Sequence, residues 1–209
     1  MQTKPSFNRE EELSKTFDSV FGIDEVGKGC FAGPIVAASV HFQKEYPWFK
    51  AINDSKLLSH KERKRLSKLI LKHGTCFIES IEVSTINEVG IGISNKMIFE
   101  NLIYKINKEF KKKTVYFLID GNKKEINYKN IEYVIKGDQK HLSIAAASII
   151  AKVYRDELMR DLAKIYKGYN FSKNKGYGTK SHQKAIKKLG LCEIHRKSFK
   201  LERFLDEVL

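Results

Sequence analysis

Cysteine is scarce in this chain: Cys30, Cys76 and Cys192 are odd in number, far apart and without CxxC spacing, which argues against a disulfide framework or a thiolate zinc site. A reducing compartment fits. No apolar run approaches the ~20 residues needed to span a bilayer, and the opening MQTKPSFNREEELSKTF lacks the apolar core of a secretory leader. The expectation is a cytoplasmic protein without a membrane partner. Internal repeats and low-complexity linkers are missing as well, and 42% hydrophobic content in 209 residues is enough for a sizeable core, which excludes a disordered tail protein. The expected organisation is a polar arm over residues 1–18 followed by one domain over 19–209, helical from about residue 165, with a monomer as the default state.

Acids are in deficit. Asp and Glu number 25 against 39 Lys and Arg, a formal charge of +14, which favours a polyanionic partner through counterion release. Charge alone leaves a nucleic-acid partner and a merely solvated basic surface equally open, because helices such as KERKRLSKLILKH are often just exposed faces.

The few acids are placed where strands end. VFGIDEVG and GPIVAASVHF read as two strands joined by a glycine-rich connection, and TCFIESIEVS as a third. TVYFLIDGN is a continuous apolar run ending in Asp120, and IEYVIKGDQK is another ending in Gly137 and Asp138. Between them, Ser59 with Glu62 three residues on predicts a capped helix ending at Gly74, and the spacing of Met97, Ile98, Leu102 and Ile106 predicts another. SIAAASIIAKVYRDELMRDL reads as a helix with Ser143 as N-cap and a small-residue face, Ala145 to Ser148, suited to close packing on a sheet. Within it, Asp156 and Asp161 are expected to pair with Arg155, Arg160 or Lys164.

Ends of neighbouring strands in an α/β sheet converge on one edge, where ligands bind. Asp24, Glu25, Asp120 and Asp138 would repel one another there and would need cations. Oxygen-only ligation suits Mg2+ or Mn2+. Gly27 and Gly29 flank Lys28 directly after the acid pair, a segment whose bare backbone and single cation suit a phosphate. Each acid alone is equally good turn chemistry beside its glycine. Three strands stopping in acids point to a shared purpose.

The blocks GIDEVGKG, GPIVAASV, NDSKLLS, LIDGN, KGDQKHLSIAAASIIAKVYRDELM, NKGYGTKSH and HRKSF, in this order over most of residues 20–200, resemble bacterial ribonuclease HII, the type 2 ribonuclease H. The resemblance implies an α/β, ribonuclease H-like mixed sheet flanked by helices, with a helical carboxy-terminal portion. It implies hydrolysis of RNA in RNA–DNA hybrids and incision 5′ of single ribonucleotides in duplex DNA, using two divalent ions, Mn2+ or Mg2+. By motif, the four metal ligands fall on Asp24, Glu25, Asp120 and Asp138, with Asp138 expected to be the most exposed. Gly27, Lys28 and Gly29 would offer main chain to the ribose 2′-hydroxyl and adjacent phosphate, and Tyr177 would stack on the neighbouring sugar. Lys56 is expected on the nucleic-acid backbone and Ser143 facing a phosphate, with His182, His195 and Arg196 as weaker candidates. Cys30 stands where the family often has Pro and is expected to be a buried, inert thiol. The rival readings are a type 3 ribonuclease H, whose extra amino-terminal domain the short arm does not supply, and a non-catalytic nucleic-acid-binding module, which would need no acid cluster.

Overall fold

The computed structural model describes residues 4–123 and 125–201. In chain order these form α1 (Asn8–Leu13), β1 (Ser19–Val26), β2 (Ile35–His41), α2 (His60–His73), β3 (Thr75–Ile81), α3 (Val83–Glu109), β4 (Val115–Asp120), β5 (Ile131–Val134), α4 (Leu142–Ile165), α5 (Phe171–Asn174) and α6 (Lys180–Leu189). Short 3-10 turns occupy Pro47–Ala51, Gly137–Gln139 and Lys197–Phe199. The strands make one mixed sheet in the order β3-β2-β1-β4-β5, so the α/β reading holds. Two compact units are distinguished: Met1–Val26 with Ala37–Glu79 and Lys96–Val153, and Gly27–Val36 with Ser80–Asn95 and Tyr154–Leu209.

In the first unit, β1 pairs in parallel with β4, which pairs in parallel with β5. Both faces of β1 are covered, so its apolar run is nearly continuous rather than alternating. Val20 and Leu118 pack with Leu13, Val134 and Ile144, while Phe21 meets the rings of Phe77, Phe110 and Phe117. A Cβ on Gly22 would lie 2.3 Å from the backbone of Ser143 and Ile144, so the bare glycine lets the start of α4 lie directly against β1. Ser59 caps α2 as expected, accepting from the Glu62 N–H at 3.2 Å.

The amino-terminal segment is not a detached arm. Phe7, Glu10 and Leu13 are buried, and Ser6 forms a parallel bridge with His141, its N–H reaching Lys140 O at 3.0 Å. An apolar residue on one face of α1 and a buried carboxylate on it were hidden by the surrounding charge.

In the second unit, Ala32, Met159, Tyr169 and Phe171 form a core, and Ala32 bridges His195 antiparallel. The loop that follows β1 is held by main-chain bonds: Phe31 N–H to Gly176 O at 2.8 Å, Gly33 N–H to Ile194 O at 2.9 Å and Arg196 N–H to Phe31 O at 2.8 Å. The terminal stretch ERFLDEVL, whose sequence reads as an amphipathic helix end, lies outside the described residues. Among those described, no helix is long and apolar enough to cross a membrane.

Candidate active site

Asp24 and Glu25 stand at the end of β1, and Asp120 is the last residue of β4, the parallel neighbour of β1. Asp138 does not end β5. The strand stops at Val134, Lys136 turns left-handed with φ 56°, and Asp138 sits on the 3-10 turn that follows. That turn is tied to β4 through the Gly137 N–H, which donates to Asp120 Oδ1 at 2.6 Å. Asp138 is therefore not the most exposed of the four: it is 6% exposed, like Asp24, whereas Glu25 and Asp120 are half-buried.

The charges act on one another. Burial, then repulsion from Glu25 and Asp120, holds the Asp24 carboxyl well above the usual carboxylate range, against a hydrogen bond from Ser148. Ser148 is in turn 3.0 Å from Ser55 Oγ, and Asp24 Oδ1 also accepts the Glu25 N–H at 2.7 Å. Burial, then repulsion from Asp120 and Asp54, raises Asp138, while Lys56 opposes the shift with Nζ 4.0 Å from Asp138 Oδ2. Asp54 is a buried acid that no strand end announces. Its side chain folds back to accept the Lys56 N–H at 2.9 Å, and it sits 3.5 Å from Gln139 Nε2.

This donor set fits a hard divalent cation: it is carboxylate oxygens only, with Asp24 and Asp138 raised by burial and by repulsion from acids beside them, a repulsion that a cation relieves. Among the described residues no three His, Cys, Asp or Glu side chains are gathered closely enough to hold a metal ion by themselves. An ion that keeps several of its waters does not require such a set.

The second unit carries the glycine element. Gly27 has φ 91°, and a Cβ there would fall 2.2 Å from Arg155 Nε. Lys28 and Gly29 are exposed, and Cys30 is fully buried, as expected. Tyr177 keeps 38% of its surface exposed, yet burial, with the Cys30 thiol beside it, pushes its hydroxyl up to about 12. The Arg155 guanidinium lies 5.9 Å from the Tyr177 ring centre.

Ser143 is not a phosphate-facing cap. Helix α4 begins at Leu142, and the Ser143 N–H and Oγ both reach Glu10 Oε1 at 2.7 Å in a fully buried site. The expected N-cap is thus a residue inside the first turn whose partner, Glu10, lies 133 residues away in the chain. Lys164 pairs with Asp161 at 2.6 Å as helical spacing predicts. Arg155 donates to the main-chain carbonyls of Pro34, Lys175 and Ala32 at 2.9, 2.8 and 3.1 Å. Arg196, His182 and His195 are fully buried rather than surface groups.

A mixed five-stranded sheet with acids at the ends of its parallel strands and helices around it defines the ribonuclease H-like class. Solved structures agree. The PCNA:RNase HII complex from Archaeoglobus fulgidus matches with TM-score 0.75 and 25% identity, over 91% of this chain and 98% of that one. Bst-RNase HIII in complex with Mn2+ shares the fold, with TM-score 0.63 and 21% identity over 82% of this chain and 63% of that one. Within the class, the family described as Ribonuclease HII matches residues 21–202, and the chain belongs to it. Ribonuclease HII of Fusobacterium nucleatum is 45% identical over 91% of this chain and 89% of the relative. That of the Wolbachia of Brugia malayi is 40% identical over 93% of each. The protein is an endonuclease acting on RNA in RNA–DNA hybrids, in a family whose activity depends on a divalent metal.

Proposed function

We propose that the chain also incises 5′ of a single ribonucleotide embedded in duplex DNA, leaving 3′-hydroxyl and 5′-phosphate ends, with Asp24, Glu25, Asp120 and Asp138 holding two Mn2+ or Mg2+ ions. The observation that carries this reading is the mutual repulsion of acids at the ends of β1 and β4 and on the turn after β5, which raises Asp24 and Asp138. Bound there, divalent ions lower the pKa of a water and neutralise charge on the leaving oxygen. The chain's own groups orient the acids: Gly137 N–H aims Asp120, Ser148 aims Asp24, and Lys56 offsets the charge of Asp138.

Recognition falls to the main chain of Gly27, Lys28 and Gly29, with the exposed Lys28 ammonium as a point charge for phosphate. Only Val26 stands between Glu25 and Gly27 in the chain, a reach of at most ~7 Å, so a reader and a metal ligand are tethered on the scale of one nucleotide. The open part of the Tyr177 ring would stack on the adjoining sugar, and Lys56, with 80% of its side chain exposed, would meet the phosphate backbone.

An end-labelled duplex containing one ribonucleotide, assayed beside an all-RNA strand on DNA with Mg2+, Mn2+ or chelator, tests this for wild type and Asp120→Asn. Metal-dependent incision just 5′ of the lone ribonucleotide, lost in the variant while binding persists, supports the reading. Cleavage of the long hybrid alone removes the role given to Lys28 and Tyr177, and a 2′,3′-cyclic phosphate product refutes the chemistry.

A further inference from the structure

We infer that Arg196 is a positioning residue that selects which face of the Lys28–Gly29 peptide the protein shows to nucleic acid. The inference rests on the reading of Gly27–Gly29 as the ribonucleotide reader and assigns the device that makes it a reader.

Residues Gly27 to Cys30 form a β-turn closed by the Cys30 N–H donating to Gly27 O at 3.2 Å, with Lys28 and Gly29 as its central pair. Neither central residue has a left-handed φ, so the turn is of type I rather than type II. These two types differ by a half-rotation of the central peptide, which exchanges its carbonyl and N–H. Glycine at the third position admits both. A Cβ on Gly29 would meet nothing within 4 Å, so no neighbouring group crowds the outer side of the turn as it stands.

Arg196 chooses. Its Nη1 donates to Lys28 O at 2.9 Å, so the trans peptide must aim the Gly29 N–H away from the guanidinium. The guanidinium cannot follow a flipping peptide. It is fully buried, and its Nε and Nη2 both grip Gly33 O, at 2.9 and 2.7 Å. The same loop is held further along by Arg155 on Ala32 O and Pro34 O. A planar fork with several fixed donors does this in a way one ammonium cannot. The consequence is chemical: the exposed turn presents a donor to a phosphate or ribose oxygen, whereas the flipped turn would present a carbonyl and repel a phosphate.

Arg196→Lys keeps the charge and loses the fork. On a duplex with one ribonucleotide it should raise KM about tenfold, the loss of one charge-assisted hydrogen bond, with kcat changed less than about twofold. A crystal structure of the free variant should show the Lys28–Gly29 peptide reversed or in two orientations. A peptide unchanged from the wild type overturns the inference and leaves the reader assignment standing. A reversed peptide with unchanged KM overturns the reader assignment, and the inference falls with it. Thermal melting run alongside identifies a purely structural role, in which kcat and folded fraction fall together and KM does not move, and that outcome also overturns it. Should the variant not fold, wild-type protein crystallised with the same duplex in chelator decides. Gly29 N–H within hydrogen-bond reach of a phosphate or 2′-oxygen supports the inference, and Lys28 O facing the nucleic acid overturns it.

Discussion

The Nε2 atoms of His182 and His195 lie 3.1 Å apart, and both rings are fully buried. Their protons can be assigned from their partners. Tyr177 O can only accept, so His182 Nδ1, 2.9 Å away, carries a hydrogen; the Cys192 N–H can only donate, so His195 Nδ1, 2.8 Å away, is bare. Cys192 O is 3.2 Å from that same nitrogen but is already served by the His195 N–H at 2.9 Å. With both rings neutral, His195 Nε2–H donates to His182 Nε2, and the chain of bonds runs from Cys192 to the carbonyl of Tyr177.

Acid should break this chain. Burial, with the neighbouring His182, lowers His195 from 6.5 to about 4. The unfolded chain therefore takes up a proton that the native state refuses, so the contribution to stability is whole above pH ~6.5 and is lost as pH falls towards ~4. The full shift corresponds to about 3 kcal/mol. Urea melts at pH 7.5 and 4.5 should show a larger loss for wild type than for His195→Gln. Equal losses would contradict a neutral pair.

Glu10 offers the opposite sign. Burial raises its carboxyl above the usual range despite the bonds from Ser143, so the protonated form is favoured in the native state. Its stabilisation is present below the unfolded pKa of about 4.3 and declines as pH rises through the higher native value. Glu10→Gln, which can still accept from Ser143, should flatten that pH dependence in urea melts. Glu10→Ala strands two buried donors at the start of α4 and should cost about 2–4 kcal/mol at low pH, a cost that shrinks as pH rises through the native pKa. Wild-type stability after Glu10→Ala would return α1 to the status of a loose arm.

Strand-ending acids were legible because each lies in a local pattern, an apolar run stopped by Asp or Glu beside glycine, and Asp24, Glu25 and Asp120 stand where those patterns put them. Asp138 was displaced by the left-handed Lys136, which no periodicity foretells. What stayed hidden depends on pairings far apart in the chain. Ser143 looked like a cap because Glu10 could not be brought to it, and the carbonyls that Arg155 grips have no side-chain signature by which a sequence could announce them. The interruption of α3 at Gly90, with φ 81° and ψ 159°, is not legible in the sequence, since GIG within an apolar pattern states low propensity without stating a break.

Gly27 is the position where a single methyl does the most harm. An L-residue is strained at φ 91°, and the Cβ would strike Arg155 Nε at 2.2 Å, beside the guanidinium that holds Ala32 and Pro34. Gly27→Ala should cost at least about 3 kcal/mol, combining left-handed strain with displacement of a buried arginine. Chemical denaturation measures this directly. A loss below about 1 kcal/mol would mean that the loop can move aside freely, which the fixed Arg155 geometry denies.

Lys56 tests the division between binding and chemistry. Its ammonium is 80% exposed and 4.0 Å from Asp138 Oδ2, too open to a screening solvent for the ion pair to add measurably to folding. Lys56→Ala should therefore leave the melting temperature unchanged. If the side chain meets a phosphate, the slope of log K against log salt for a hybrid duplex should become shallower by about 0.9, one released counterion, with affinity falling alike on every sequence. An unchanged salt slope would remove Lys56 from the nucleic-acid surface.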